Sequence, residues 1–311
     1  MLQIAVIALI VVTSLLAIAV LAEAYARFVL GLGDPPLWQP DPEIEYLPQP
    51  SKSYLRFGNR ISYNAYSMRS RDFPRNKVNP AELRVLVVGD SIINGGAHTD
   101  QQALATTLLE HKLAESLDRP VVVANIAVAS WGPPNVLAYL RRFGLFDADV
   151  VVIVLNSADY ADAPTFEPLG PKRPQRKPVL ALQEFRDKYV PRYFKKNLGF
   201  RRERQPPTPE AIDTCLSALR ELIRMTRQAG ASVLLAQHLK RSEVATKPEI
   251  GHRMIAQVAQ EAGIEPIQLG PGFTKALRDG PDPYLADIHP NEHGQRIIAE
   301  VLFDPIREAV S

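Results

Sequence analysis

The stretch Val85-Leu86-Val87-Val88-Gly89-Asp90-Ser91 decides the fold. Four consecutive apolar residues, with two side chains on each face, predict a strand covered on both sides, as in a parallel sheet. The turn residues that follow place Ser91 just beyond the carboxyl end of that strand. In open α/β sheets ligands bind beyond those ends.

Working outward, the same kind of run recurs at Val121–Ala124, Val150–Leu155, Val233–Ala236 and Pro266–Leu269. Helical periods separate them. Thr99 or Asp100 is placed to cap a helix through Leu104, Leu108, Leu109 and Leu113. Further helices are expected over Ala211–Gln228, closed by Gly230, from about Glu249 to Ala262, and from Glu292 to Ala309. Strand–helix alternation predicts an α/β fold, a flavodoxin-like three-layer α/β/α sandwich with a mostly parallel sheet. Three regions are expected: a transmembrane signal anchor over 1–30, a Pro-rich tether and β-hairpin region over 31–80, and the α/β domain over 81–311.

The N-terminal region differs in composition. Met1 to Ala22 carry no charged side chain. A helix of that length spans roughly 33 Å, enough for a bilayer core. A cleaved signal peptide is the rival, with Ala22-Glu23-Ala24 as a small-x-small site, but a positive n-region is missing. A retained anchor is the expectation. Residues 34–53, with Pro35, Pro36, Trp38, Pro40, Pro48 and Pro50, read as an extended tether. Alternation around Gly58-Asn59 predicts a β-hairpin.

One segment breaks the strand–helix rhythm. Residues 164–209 read as an insertion, and 171–204 hold twelve Lys or Arg against three Asp or Glu. Phe185, Tyr189, Tyr193, Phe194 and Phe200 interleave the charges. Two readings stand: a solvated insertion balancing an acidic body, or a basic surface facing anionic polysaccharide or lipid headgroups. The net charge of the 311-residue chain is only +2, which argues against nucleic acid as a partner. A single cysteine, Cys215, excludes an intramolecular disulfide and is expected to be buried in a helix.

The candidate chemistry is nucleophilic. A serine hydroxyl needs a base, and the base needs a carboxylate to orient it. Asp287-Ile288-His289-Pro290-Asn291 supplies both types. Gly132, in the loop Ser130-Trp131-Gly132-Pro133, and Asn156, ending the third strand, are candidate oxyanion donors beside the Ser91 N–H. His289-Pro290-Asn291-Glu292-His293 also spells an inverted zinc motif. Pro290 suits the first position of a helix, leaving His289 outside it, so no metal is expected there. His238, after the fourth strand, is a minor candidate for the cleft, and His98 is expected in a loop.

Across residues 81–305 the chain resembles the SGNH (GDSL-type) hydrolase family. Gly89-Asp90-Ser91 resembles its first block, Asn125 through Gly132 its second, and His289-Pro290-Asn291 with Gly294 its last. The resemblance implies Ser91 as nucleophile and His289 as base, with no cofactor. Two positions depart from it. Ala158 stands where the third block usually has Asn, with Asn156 two residues earlier. Ala286 stands where the last block has Asp, with Asp287 one residue later, a spacing also found in relatives that acetylate alginate. The second-block glycine aligns with Ser130 or with Gly132. Asn64-Ala65-Tyr66-Ser67-Met68-Arg69 resembles an Asn-x-x-Gly-x-Arg segment of membrane-anchored SGNH proteins of exopolysaccharide biosynthesis, with Ser for Gly. What this implies is an extracytoplasmic serine esterase or O-acetyltransferase acting on acyl esters of a carbohydrate, with polysaccharide-synthesis proteins as partners. The alternative is an inactive glycan-binding or scaffold subunit.

Overall fold

A computed structural model of the chain describes residues 1–197 and 206–310. Phe200 and the basic residues at 201, 202 and 204 lie outside the described residues. Helix α1 (Leu2–Ala24) continues through a π-turn, Tyr25–Val29. The continuous helix Leu2–Val29 has a mean hydropathy of 3.1 in its most apolar window, none of which is buried against the protein.

Two antiparallel hairpins follow: β1 (Trp38–Asp41) with β2 (Glu45–Pro48), and β3 (Lys52–Arg56) with β4 (Asn59–Tyr63). The second matches the expected hairpin, its turn formed by Phe57-Gly58, one residue earlier than the sequence suggests. The first corrects the tether reading. Ile44, Tyr46 and Leu47 are buried in the main core, joined by Met68 and Phe73. Prolines signal irregular backbone, but each large apolar side chain gains roughly 1.5–3 kcal/mol by full burial, and that outweighs the composition. Asp41 fixes the turn by accepting from the N–H groups of Glu43 and Ile44, both at 2.9 Å.

The central sheet contains β5 (Leu83–Gly89), β6 (Val121–Ala127), β7 (Val150–Asn156), β8 (Ser232–His238) and the short β9 (Ile267–Gln268). All pairs are parallel, in the order β6-β5-β7-β8-β9. This is the doubly wound arrangement expected, with a switch point beside β5. The one-turn helix α2 (Ser91–Asn94) follows β5. Leu86 and Val88 face the layer of α4 (Pro133–Phe143), α7 (Pro209–Gln228) and α9 (Ile250–Glu261). Val85 and Val87 face α3 (Ala105–Leu117), α10 (Gly270–Asp279) and α11 (Glu292–Glu308). Cys215 is buried within α7. One helix start is corrected. Asp100 does cap, but it caps a 3₁₀ turn, Gln101–Ala103. Leu104 then becomes extended to bury its side chain fully, and α3 begins after it.

The outer edge of β6 is covered by residues 69–71 and α3. Arg69 N–H donates to Asn125 O, Ser70 Oγ accepts from Asn125 N–H, and Glu110 accepts from Val123 N–H. Just before residues 69–71, Ser67 has φ +61, in the left-handed region that favours glycine.

The described residues of the 164–209 insertion include helices: α5 (Ala181–Glu184), a π-turn, and α6 (Val190–Asn197). Glu23 of α1 accepts from the N–H groups of Ala181 and Leu182, at 2.9 and 3.0 Å, and so serves the open end of α5. Arg56 pairs with Glu184, both buried, and donates to Gly31 O. These contacts fasten the insertion and the β3–β4 hairpin to the end of α1. The remaining short helix, α8 (Arg241–Ala245), lies after β8.

Candidate active site

Ser91 is the first residue of α2, and Asp90 is its N-cap. The Asp90 carboxylate accepts from Ile92 N–H at 2.9 Å. A one-turn helix leaves every carbonyl without an intrahelical partner except the first. Here each is met individually. Gly95 N–H donates to Ser91 O, Gln295 to Ile92 O at 2.7 Å, Asn125 to Ile93 O at 2.8 Å, and Arg69 to Asn94 O. Arg69 is buried and also donates to the carbonyls of Gly96 and Thr99. The half-buried Ser91 is thus set by a strand end, a cap and side chains from three distant segments. Arg69 and Gln295 were not expected at the site; their signal was polar residues inside otherwise core-facing stretches.

The loop after α10 brings in His289. Its Nε2 lies 3.0 Å from Ser91 Oγ, across 198 residues of chain. Asn291, not Pro290, opens the last helix: its side chain accepts from His293 and Gly294 N–H and donates to Asp282 O. Gly294 is required by close approach, since a Cβ there would stand 2.4 Å from Pro283 O and 2.7 Å from Pro290 Cβ. His238 is buried beneath, between Phe273 and Tyr284, with Nε2 3.0 Å from Ile288 O. Burial holds its pKa down to about 3, so the ring is neutral and donates to that carbonyl. His238 therefore fixes the residue before His289 from behind, rather than facing the cleft.

Asp287 does not meet the expectation placed on it. Its carboxylate accepts from Ser242 N–H at 2.9 Å and Ser242 Oγ at 3.0 Å, at the first turn of α8. Open N–H groups at a helix start are strong competitors for a nearby carboxylate. Among the described residues no group hydrogen-bonds His289 Nδ1. Partial desolvation, with no carboxylate to oppose it, holds the His289 pKa below its ordinary value.

The other two oxyanion candidates have partners within the protein. Gly132 N–H donates to Asn135 Oδ1 at 3.1 Å, closing the N-terminus of α4. Gly132 is needed for another reason: a Cβ would stand 2.0 Å from Asp162 O. Asn156 uses both amide hydrogens on carboxylates, with Asp159 at 2.9 Å and Asp90 at 3.2 Å. Asp90 and Asp159 are buried. Burial, reinforced by the Asp162 charge, raises Asp90 to about 7, and burial with the Asp90 charge raises Asp159 well above the usual carboxylate range. Ser130, by contrast, has φ +62. Its preceding carbonyl, Ala129 O, is bound by Tyr46 Oη at 2.9 Å. Peptide planarity turns the Ser130 N–H to the opposite side, and no described group accepts from it or from Ser91 N–H. Beside Asn156 a cleft of about 470 Å³ is lined by Ser157, Tyr160, Asp162 and Glu249 among others.

A serine hydroxyl at hydrogen-bond distance from a neutral imidazole, with nearby backbone donors, is the geometry of acyl transfer. His289 precedes α11 while His293 lies within it, so the two imidazoles do not share a helical face. Among the described residues no cluster of three His, Cys, Asp or Glu side chains is arranged to hold a metal ion. Several solved structures are similar. Axe2, an acetylxylan esterase from Geobacillus stearothermophilus, is 15% identical, with a TM-score of 0.47, over 72% of this chain and 94% of its own. LAE5, an α/β hydrolase from the metagenome of Lake Arreo in Spain, is 17% identical, with a TM-score of 0.48, over 74% and 97%. A member of the lipolytic G-D-S-L family from Veillonella parvula is 12% identical, with a TM-score of 0.46, over 71% and 97%. No curated protein matches the chain. The model of the GDSL-like lipase/acylhydrolase family matches residues 87–297, spanning both Ser91 and His289, and the chain belongs to that family.

Proposed function

We propose that the chain is a membrane-anchored serine ester hydrolase or O-acyltransferase that acts on acyl groups, above all acetyl, of a carbohydrate such as a bacterial exopolysaccharide. The observation that carries the reading is the 3.0 Å approach of His289 Nε2 to Ser91 Oγ. In this mechanism His289 takes the Ser91 proton as Oγ attacks the ester carbonyl. The N–H groups of Ser91 and Ser130 receive the oxyanion. Collapse of the tetrahedral species expels the alcohol, protonated by His289, and leaves an acyl-serine. Water or a sugar hydroxyl then attacks it by the reverse sequence.

Retention of α1 as an anchor is supported by its integration into the fold. Cleavage after Ala24 would remove Glu23, which serves α5, from a junction that also buries Ala26 and Leu32. The domain would then sit on the extracytoplasmic side, beside polysaccharide-synthesis proteins. A second reading, a glycan-binding or scaffold subunit without activity, draws on the occupied donors of Gly132 and Asn156.

The two are separated by p-nitrophenyl acetate hydrolysis and fluorophosphonate labelling of the full chain. Wild type is expected to turn over and label, and Ser91→Ala to do neither. If wild type and variant are equally inert, the catalytic reading is wrong. Unchanged polymer acetylation in a Ser91→Ala strain, read by mass spectrometry, would sink the substrate assignment.

A further inference from the structure

Large exposed apolar side chains gather around the domain-proximal end of α1. Tyr25, Phe28 and Val29 finish the helix. Val179 and Leu180, 83% and 50% exposed, lead into α5, and Phe185, Tyr193 and Phe194 continue from it. Hydrogen bonds make this one surface. Arg27 donates to Val179 O, and Glu23 accepts from Ala181 and Leu182 N–H. Groups in direct contact with residues 23–27 share their depth along the helix axis. Counted from Leu2 at 1.5 Å per residue, a hydrocarbon core of roughly 30 Å ends near residue 22. Glu23 and Arg27 then lie in the headgroup layer, and Val179 and Leu180 lie there with them. The segment around them, residues 171–204, has twelve basic and three acidic side chains. Aromatic and aliphatic residues interleaved with Lys and Arg suit a segment lying along an anionic bilayer surface.

We propose that residues 179–194 form a second membrane contact, seated in the anionic headgroup layer of the bilayer that α1 crosses, and that this contact turns the Ser91–His289 edge of the domain towards the membrane. The proposal rests on the anchored-esterase reading above. The link to the site is continuous. Arg56 joins Glu184 and Gly31, the Phe57 ring stacks on His98 at 4.9 Å, and Asn59 donates to Ala97 O. The loop holding Ala97 and His98 directly follows α2. Val78, 83% exposed, precedes β5 and so lies on the side of the strands' amino ends, opposite Ser91. The ester is therefore taken from a molecule presented at the bilayer surface, such as a lipid-linked glycan.

The test places tryptophan in the full-length protein, singly, as Val179→Trp, Phe194→Trp and Val78→Trp. Each is reconstituted in vesicles of phosphatidylglycerol and phosphatidylcholine brominated high on the acyl chain. Emission added at 179 and 194 is expected to fall roughly twofold, as for side chains 5–10 Å into the interface, and emission at 78 to stay unchanged. Two unfolding midpoints equal to wild type exclude misfolding as the cause. Absence of quenching at both 179 and 194, or equal quenching at 78, overturns the proposal. So does protection of 179 and 194 by soluble anionic polysaccharide without lipid quenching. Normal p-nitrophenyl acetate hydrolysis without quenching overturns the docking alone, whereas quenching in an inert protein supports docking and rejects the esterase.

Discussion

Replacing Asp287 by Asn tests how His289 is supported. In a serine triad the carboxylate behind the histidine is worth about 10⁴-fold in kcat. Here that carboxylate accepts two hydrogen bonds from Ser242, and it is exposed. Loss of a helix-capping acceptor costs about 1 kcal/mol. Even if all of it reached the His289 loop, kcat/KM would fall about fivefold. The loop keeps other restraints: Leu285 N–H on His289 O at 2.8 Å, His238 on Ile288 O, and Asn291 on Asp282 O. The assay is steady-state p-nitrophenyl acetate hydrolysis by the full chain in detergent, from pH 5 to 9, beside His289→Asn. The acid limb of wild type is expected below the ordinary histidine pKa of about 6.5, because desolvation favours the neutral ring. Asp287→Asn should leave that limb in place. A loss beyond about 10³-fold at an unchanged unfolding midpoint, or a limb that moves with the substitution, would refute the reasoning.

Four further outcomes follow from the same geometry. Burial raises both Asp90 and Asp159 above the ordinary carboxylate range; the stability tied to Asp90 is full below its unfolded value of about 3.8 and is lost as pH rises through about 7, and that tied to Asp159 is lost in the same direction. Urea unfolding at pH 5 and pH 8 should show Asp159→Asn less pH-dependent than wild type; equal slopes would reject the raised Asp159 carboxyl. His238→Phe strips Ile288 O of its donor and should lower stability by about 1–3 kcal/mol and kcat about tenfold, with the acid limb unmoved. Ser130→Gly should raise stability by about 1 kcal/mol by relieving a left-handed backbone, whereas Gly132→Ala, whose Cβ meets Asp162 O at 2.0 Å, should lower the melting temperature.

The sheet was legible because its strands are buried on both faces, which writes them as unbroken apolar runs. Ser91 and His289 were legible because each sits beside a local device, a cap and a strand end for one, Asn291 and Gly294 for the other. What was not legible is competition. Asp287 has the right spacing for His289, yet Ser242 at the start of α8 holds its carboxylate. Asn156 falls at the right strand end, yet two buried carboxylates claim its amide. Such outcomes depend on neighbours up to 66 residues away. The segment 34–53 misled for a different reason: its prolines describe the backbone, while Ile44, Tyr46 and Leu47 decide where it goes.

The cover over β6 has a practical meaning for handling the protein. Trimming the chain to the apparent domain start near Ala81 would remove Arg69 and Ser70, leaving Asn125 O and N–H as unpaired groups on an outermost strand. A strand in that state is a template for pairing with other molecules. Such a fragment is expected to aggregate even though its sheet is complete, so a trimmed form has to keep at least residues 69–71.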